Sequence, residues 1–229
     1  MTARYAGIMV SLPRLEPLFQ AKITPISRVG LDKRLALLDP KDKEILAAVR
    51  GMILWDTAGI EASEQLVRQS VETLQRMALP PTVQALCKEA LELRSTLAAM
   101  RMRAAGQSAP SLEASRKLFA PGVARRLVNR WSEPAFGLGR VYPWLTEADS
   151  QHRAGNAWAV EKLLLAWIWG RLEWYKTHHY YDVEAVVLYV LQWDMTRRRT
   201  MADAQKANAR FEILLKNAMD KEPRYADAA

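Results

Sequence analysis

The chain has few of the residues on which disulfide, metal and nucleophilic chemistry depend. It contains one cysteine, Cys87, and three histidines among 229 residues. A single cysteine excludes an intramolecular disulfide and fits a reducing compartment. Long apolar runs are also lacking: the richest one, Leu163–Trp169, is closely flanked by charges and is too short to cross a bilayer. The N-terminal apolar run is too short for a secretory signal. These absences predict a cytoplasmic chain.

Motifs for catalysis and for cofactor binding are also missing. There is no Gly-x-Ser-x-Gly elbow and no Gly-x-x-x-x-Gly-Lys phosphate loop. Cys87 falls on the apolar side of a predicted helix, where a thiol is usually inert. His178 and Asp182 are four residues apart, but they straddle a predicted helix start and lack a third ligand. Glu161 and Glu173 lie about 18 Å apart along one helix, too far to share a substrate bond. The sequence therefore predicts no enzyme activity, no cofactor and no metal.

What the chain does have is the composition of a folded protein with many tryptophans. Half of its residues are apolar and a quarter are charged. Tryptophan side chains are large apolar surfaces that are costly to leave in water. Seven of the eight follow residue 130: Trp131, Trp144, Trp158, Trp167, Trp169, Trp174 and Trp193. We therefore expect the C-terminal half to contain the denser core.

Positive charge is unevenly placed along the chain, which has a formal net charge of +8. Residues 94–130 carry eight basic side chains against Glu113 alone, a net of +7, whereas residues 131–196 have a net of −3. Such asymmetry favours one face for an acidic partner, although a solvated basic face without a partner explains it too. The candidate partner-binding residues are Arg125, Arg126, Arg130, Arg197, Arg198 and Arg199.

The apolar pattern predicts an all-α multi-helix bundle. Helix starts are indicated at Ser27, at Asp39-Pro40, near Thr82, at Asn156 and at Asp182. A last helix is predicted over Asp203 to Met219. The run Tyr5 to Leu12 is too short to assign, which leaves a short extended N-terminal segment as an option. The loop 104–111 separates an N-terminal helical part, 1–105, from a C-terminal Trp-rich helical part, 106–229; one continuous domain is the alternative.

Two segments resemble one known family. The first is Tyr5-Ala6-Gly7-Ile8-Met9-Val10-Ser11-Leu12-Pro13, followed by Pro25-Ile26-Ser27-Arg28 and a Leu-rich helix reaching Leu54-Trp55. The second runs from Phe136-Gly137-Leu138 through Tyr180-Tyr181-Asp182-Val183-Glu184 to Arg210-Phe211-Glu212-Ile213. Both resemble the proteins encoded in bacterial V/A-type ATPase operons, which are similar to the C-type stalk component of V-type ATPases, known as the d-type in eukaryotes. Residues 63–129 lie outside the resemblance, and Arg199 stands where the family pattern has a tryptophan.

The resemblance implies a non-catalytic accessory or coupling subunit of a rotary ATPase. Such a protein would link the central stalk to the membrane rotor ring, or aid assembly, and so take part in ATP synthesis and ion transport. Its partners would be ATPase subunits, and it would meet the inner face of the cell membrane only through them. No small-molecule substrate is expected. A helical nucleic-acid-binding regulator is the alternative that the basic middle segment permits.

Overall fold

The protein is a bundle of α-helices in all of the chain that the structure describes. The computed structural model describes residues 2–53 and 60–201, with the side chains of 3–53 and 67–201. Regular structure in these ranges is entirely helical, which confirms the predicted fold class. The helices are α1 Thr2–Ser11, α2 Arg28–Leu35, α3 Pro40–Ile53, α4 Ile60–Arg76, α5 Pro81–Ala104, α6 Leu112–Leu118, α7 Pro121–Asn129, α8 Leu145–Arg153, α9 Ala157–Lys176 and α10, 183–201. A 3₁₀ turn, Pro134–Gly137, precedes α8.

Side-chain caps begin several of these helices where the sequence predicted them. Ser27 Oγ accepts from the backbone N–H of Gly30, and Asn156 Oδ1 accepts from that of Ala159. Asp182 Oδ1 accepts from the N–H of Ala185 at 2.7 Å. Each acceptor satisfies a backbone donor that has no partner inside the helix. Helix α8 was missed, since its residues, LTEADSQHR, are mostly polar. Leu54-Trp55, at the end of the first resembling segment, and the last predicted helix, Asp203 to Met219, lie outside the described residues.

The N-terminal segment is helical, so the option of an extended strand is wrong. Residues Thr2–Ser11 form α1, with Ile8 fully buried and with Ser11 Oγ donating to the carbonyl of Ile8. A lone strand would need a neighbouring strand for its backbone hydrogen bonds. A helix satisfies these groups internally and can still bury one apolar side.

Two apolar clusters form the core of the described chain, and two long helices belong to both. The first cluster packs side chains from the N-terminal part of the chain, between Ile8 and Ala90, against side chains between Leu172 and Met195. The second is formed by the rest of α5, by α7, by the 3₁₀ turn and by α8. Helix α5 places Leu86 in the first cluster and Leu97 in the second, and α9 contributes to both in the same way. A boundary near residue 105 stays a prediction.

The tryptophans are less buried than their number led us to expect. Trp144 and Trp193 are buried, but Trp158 and Trp174 are 45% and 52% exposed. In the apolar run of α9 only Leu164 is buried, so this helix is not packed on all sides. Helix α5 is covered on more than its apolar side, because the charged residues Glu92 and Arg94 are half-buried. None of the described helices is long and apolar enough to cross a membrane.

Candidate functional site

Helices α6 and α7 carry most of the exposed positive charge of the segment 94–130. Ser111 caps α6, and Pro121 occupies the first turn of α7. The break between them is fixed by Ser95 of α5, which is buried. Its Oγ accepts from the N–H of Ala120 at 2.7 Å and donates to the carbonyl of Leu91. These hydrogen bonds to Ser95 explain why the break between the two helices lies at residues 119–120.

The α6–α7 basic surface consists of four exposed cations: Arg116, Lys117, Arg125 and Arg126. The opposite side of α7 packs Val123, Ala124 and Leu127 into the second cluster. None of the four cations forms an ion pair within 4.0 Å with a residue that the structure describes. Their charge is therefore presented to the outside and can attract an acidic partner.

The remaining candidate arginines are engaged with their neighbours. Arg130 Nη1 lies 3.0 Å from Glu133 Oε2, so its charge is partly offset. Arg197 lies over the ring of Trp193 at 5.8 Å, and Arg199 lies over the ring of Phe19 at 4.9 Å. Residues 197–199 lie within α10, which the structure describes up to residue 201.

Arg94 and Arg198 bring positive charge together where α5 meets α10. The pKa of Arg94 is lowered to about 10, chiefly because burial disfavours its charged form and secondly because Arg198 is near. The sequence showed no sign of this proximity, since the two residues are more than a hundred positions apart. Arg198 of α10 is therefore close enough to Arg94 of α5 for the two positive charges to repel each other.

An open groove of about 830 Å³ lies between the C-terminal ends of α5 and α8. Arg101 and Arg153 line it and are exposed. Arg103 also lines the groove, and its side chain is held in place by several contacts. Its Nη1 donates to the carbonyls of Trp131 and Glu133, and its Nη2 lies 3.1 Å from Asp149 Oδ2. The groove thus has fixed structural charges at its base and two exposed cations along its sides. The groove was not predicted from the sequence, because the helix that forms one of its sides, α8, was not predicted either.

Arg103 also supports an unusual backbone turn. Ala135, Phe136 and Gly137 all have left-handed backbone angles, with φ of 50°, 52° and 64°. Such angles cost a non-glycine residue about 1 kcal/mol each. The cost is offset because Phe136 is completely buried and the guanidinium of Arg103 stacks on its ring at 4.1 Å. The turn belongs to a segment that carries the family resemblance.

The residues with reactive side chains fall into two very different settings. Cys87 is fully buried, and burial raises the pKa of its thiol to about 12, so it is protonated and shielded. His179, Asp182 and Glu184 lie together at the start of α10, with one potential ligand atom from each within 4.8 Å of the others. The sequence analysis considers His178 with Asp182 and finds no third ligand, whereas in the structure His179 and Glu184 lie beside Asp182. The spacing His-x-x-Asp-x-Glu is the signal that could have found this group.

Comparison with protein-family models, with curated proteins and with solved structures finds no match to this chain.

Proposed function

We propose that this protein is a non-catalytic accessory or coupling subunit of a bacterial V/A-type rotary ATPase. It works by docking, and its basic surfaces bind acidic faces of ATPase subunits of the central stalk or the rotor ring. The family resemblance suggests this role, and the helical architecture agrees with it.

The observation that carries the proposal is that the two segments of the resemblance pack against each other. Tyr189 donates its hydroxyl hydrogen to the carbonyl of Pro13 at 2.8 Å. Trp193 Nε1 donates to the carbonyl of Ile26 at 2.9 Å, across 167 residues of sequence. Both side chains lie on α10 and are buried in the first cluster. Segments from the two chain ends thus form one structural unit, as expected if a single family fold accounts for both.

The composition of the basic surface favours an acidic protein partner over nucleic acid. Sequence-independent binding of single strands uses aromatic side chains as stacking platforms between cations. The only aromatic residue in 112–130 is Phe119, which is buried. Three of the exposed aromatics, Trp174, Tyr180 and Tyr181, lie instead at the turn between α9 and α10, and Trp158 lies at the start of α9. Aromatic residues of this kind are enriched at protein interfaces.

Charge reversal on α7 tests the proposal. The tagged chain is co-expressed with the ATPase subunits of its own genome, and retention of those subunits is measured. Arg125→Glu combined with Arg126→Glu is expected to lower retention about tenfold or more, because attraction to an acidic face becomes repulsion. Far-UV circular dichroism should stay unchanged, since both side chains are exposed.

The matched control is Lys33→Glu combined with Lys41→Glu, which reverses two exposed charges on α2 and α3. It changes net charge equally and should leave retention intact. If the unmodified chain retains no ATPase subunit, the proposal is wrong. Salt-sensitive retention on a nucleic-acid column that depends on Arg125 and Arg126 would favour the nucleic-acid-binding regulator instead.

A further inference from the structure

His179 is held in one orientation by hydrogen bonds on both sides of its ring. Its Nε2 lies 2.7 Å from Thr82 Oγ1, at the start of α5, and its Nδ1 lies 2.8 Å from Asp182 Oδ2. The imidazole is 16% exposed. Histidines that bind metals are commonly oriented in this way, with the second ring nitrogen hydrogen-bonded to a neighbouring group. The ring is therefore prepared to present Nδ1 toward the two carboxylates.

The spacing of the three potential ligand atoms is close to that of a coordination sphere. Metal–ligand distances of about 2.1 Å place neighbouring ligand atoms about 3.0–3.5 Å apart. His179 Nδ1 and Asp182 Oδ2 are already at 2.8 Å, and the whole group fits within 4.8 Å. Glu184 has a flexible side chain, so its carboxylate can approach by rotation. Asp182 caps α10 through Oδ1, which leaves Oδ2 for a metal.

The electrostatics of the group also favour a cation. Helix α10 begins here, and its N-terminus acts as roughly half a positive charge, which repels a cation. Asp182 and Glu184 supply two negative charges when ionised, and these outweigh the helix end. The Asp182 side chain is 40% exposed, so water can fill the remaining coordination positions. One imidazole with two carboxylates suits a first-row transition ion such as zinc better than calcium or magnesium.

We propose that His179, Asp182 and Glu184 form a binding site for a divalent transition-metal ion. The Thr82 hydroxyl can donate to His179 Nε2 without the metal and accept from it once the metal occupies Nδ1, because a hydroxyl does both. The bound ion links the turn before α10 with the first turn of that helix and, through Thr82, with the start of α5. The site is separate from the α6–α7 basic surface and does not depend on the docking function.

Titration calorimetry of the untagged chain with zinc chloride tests the site. One ion per chain is expected, with a metal-dependent rise in melting temperature, since a ligand that binds the folded state stabilises it. Glu184→Gln removes one ligand at an intermediate surface position and should weaken binding about tenfold or more. Asp182→Asn should act similarly while keeping α10 capped, because asparagine caps as well as aspartate does.

The neighbouring histidine provides the matched control. His178 is exposed, and its Nδ1 faces the carbonyl of Trp174 and not the site. His178→Ala should bind zinc within about twofold of the unmodified chain, a difference of about 0.4 kcal/mol. The proposal is overturned if zinc shows no saturable binding, if Glu184→Gln binds as well as the unmodified chain, or if His178→Ala loses binding to the same extent.

Discussion

Asp194 connects distant parts of the chain through one carboxylate. It lies on α10, its side chain is 5% exposed, and it accepts two hydrogen bonds from Arg50 of α3, at 2.8 and 2.7 Å. Arg28 at the start of α2 adds a longer contact of 3.8 Å. Two-point pairing of arginine with a carboxylate fixes geometry as well as charge. This one residue therefore fixes the positions of α2 and α3 against α10.

Removal of that carboxylate should be costly. Asp194→Ala is expected to lower the free energy of unfolding by about 3 kcal/mol, because it leaves the largely buried Arg50 without its counter-ion. Urea denaturation followed by circular dichroism measures the change. Asp32→Ala serves as control: Asp32 is half-exposed and pairs with Arg28 on one helix, so its loss should cost only about 0.5 kcal/mol. Equal losses in both variants would contradict the role given to Asp194.

At the scale of elements, the contact between α5 and α7 depends on a close approach at Gly122. A Cβ atom at this position would collide with the Glu92 side chain. Glu92 is held there by Tyr142, whose hydroxyl donates to Glu92 Oε2 at 3.3 Å. Burial raises the pKa of Glu92, so its charged form is disfavoured in this crowded contact. A side chain at Gly122 would thus force the Glu92 carboxylate out of its contact with Tyr142.

Two glycine substitutions should have opposite effects on stability. Gly122→Ala is expected to lower the free energy of unfolding by about 1–3 kcal/mol, because it overpacks the α5–α7 contact. Gly51→Ala, at an exposed position of α3 with nothing within 4 Å, should raise it by about 0.5–1 kcal/mol through helix propensity. Thermal melts of both variants measure the pair. A stabilising Gly122→Ala would show that α5 and α7 are not tightly packed there.

For the whole molecule, the sharing of α5 and α9 between the two clusters has a consequence for unfolding. Each long helix would have to break in its middle if one cluster unfolded alone. Breaking a helix exposes backbone groups and loses packing on both sides of the break. The described part of the chain should therefore unfold as one cooperative unit.

Core truncations in the two clusters test this cooperativity. Leu172→Ala in the first cluster and Leu127→Ala in the second each remove a side chain that is completely buried. Each is expected to cost about 2–5 kcal/mol. In both variants, tryptophan fluorescence and far-UV circular dichroism should report the same single transition in urea. Separate transitions in either variant would show that the clusters unfold independently.

Local signals in the sequence were enough to predict most of the helices and several of their starts. The caps at Ser27, Asn156 and Asp182 follow from interactions within a few residues. Such interactions are encoded by spacing, since a helix repeats every 3.6 residues and a cap acts within one turn. Helix α8 was not predicted from the sequence, because it has few apolar residues to mark its buried side.

Local signals in the sequence do not predict which of the positive charges are exposed. Six arginines were predicted as partner-binding residues from charge alone. In the structure Arg130, Arg197 and Arg199 form an ion pair or ring contacts, and Arg198 lies near Arg94. Arg125 and Arg126 are exposed and form no ion pair within 4.0 Å with a described residue. Which cation faces the outside depends on neighbours such as Glu133 and Phe19, and spacing does not reveal them when they come from other elements.

The amino-acid pattern alone predicts a helical protein with positive charge in its middle segment. Packing of distant helices is needed to bring Tyr189 and Trp193 into hydrogen-bonding contact with the N-terminal segment, and His179 into contact with Thr82, 97 residues earlier in the chain. The difference comes from the distance along the chain over which each interaction acts. Helix propensity and net charge add up along the chain, whereas a site depends on a few contacts that form only after distant helices pack.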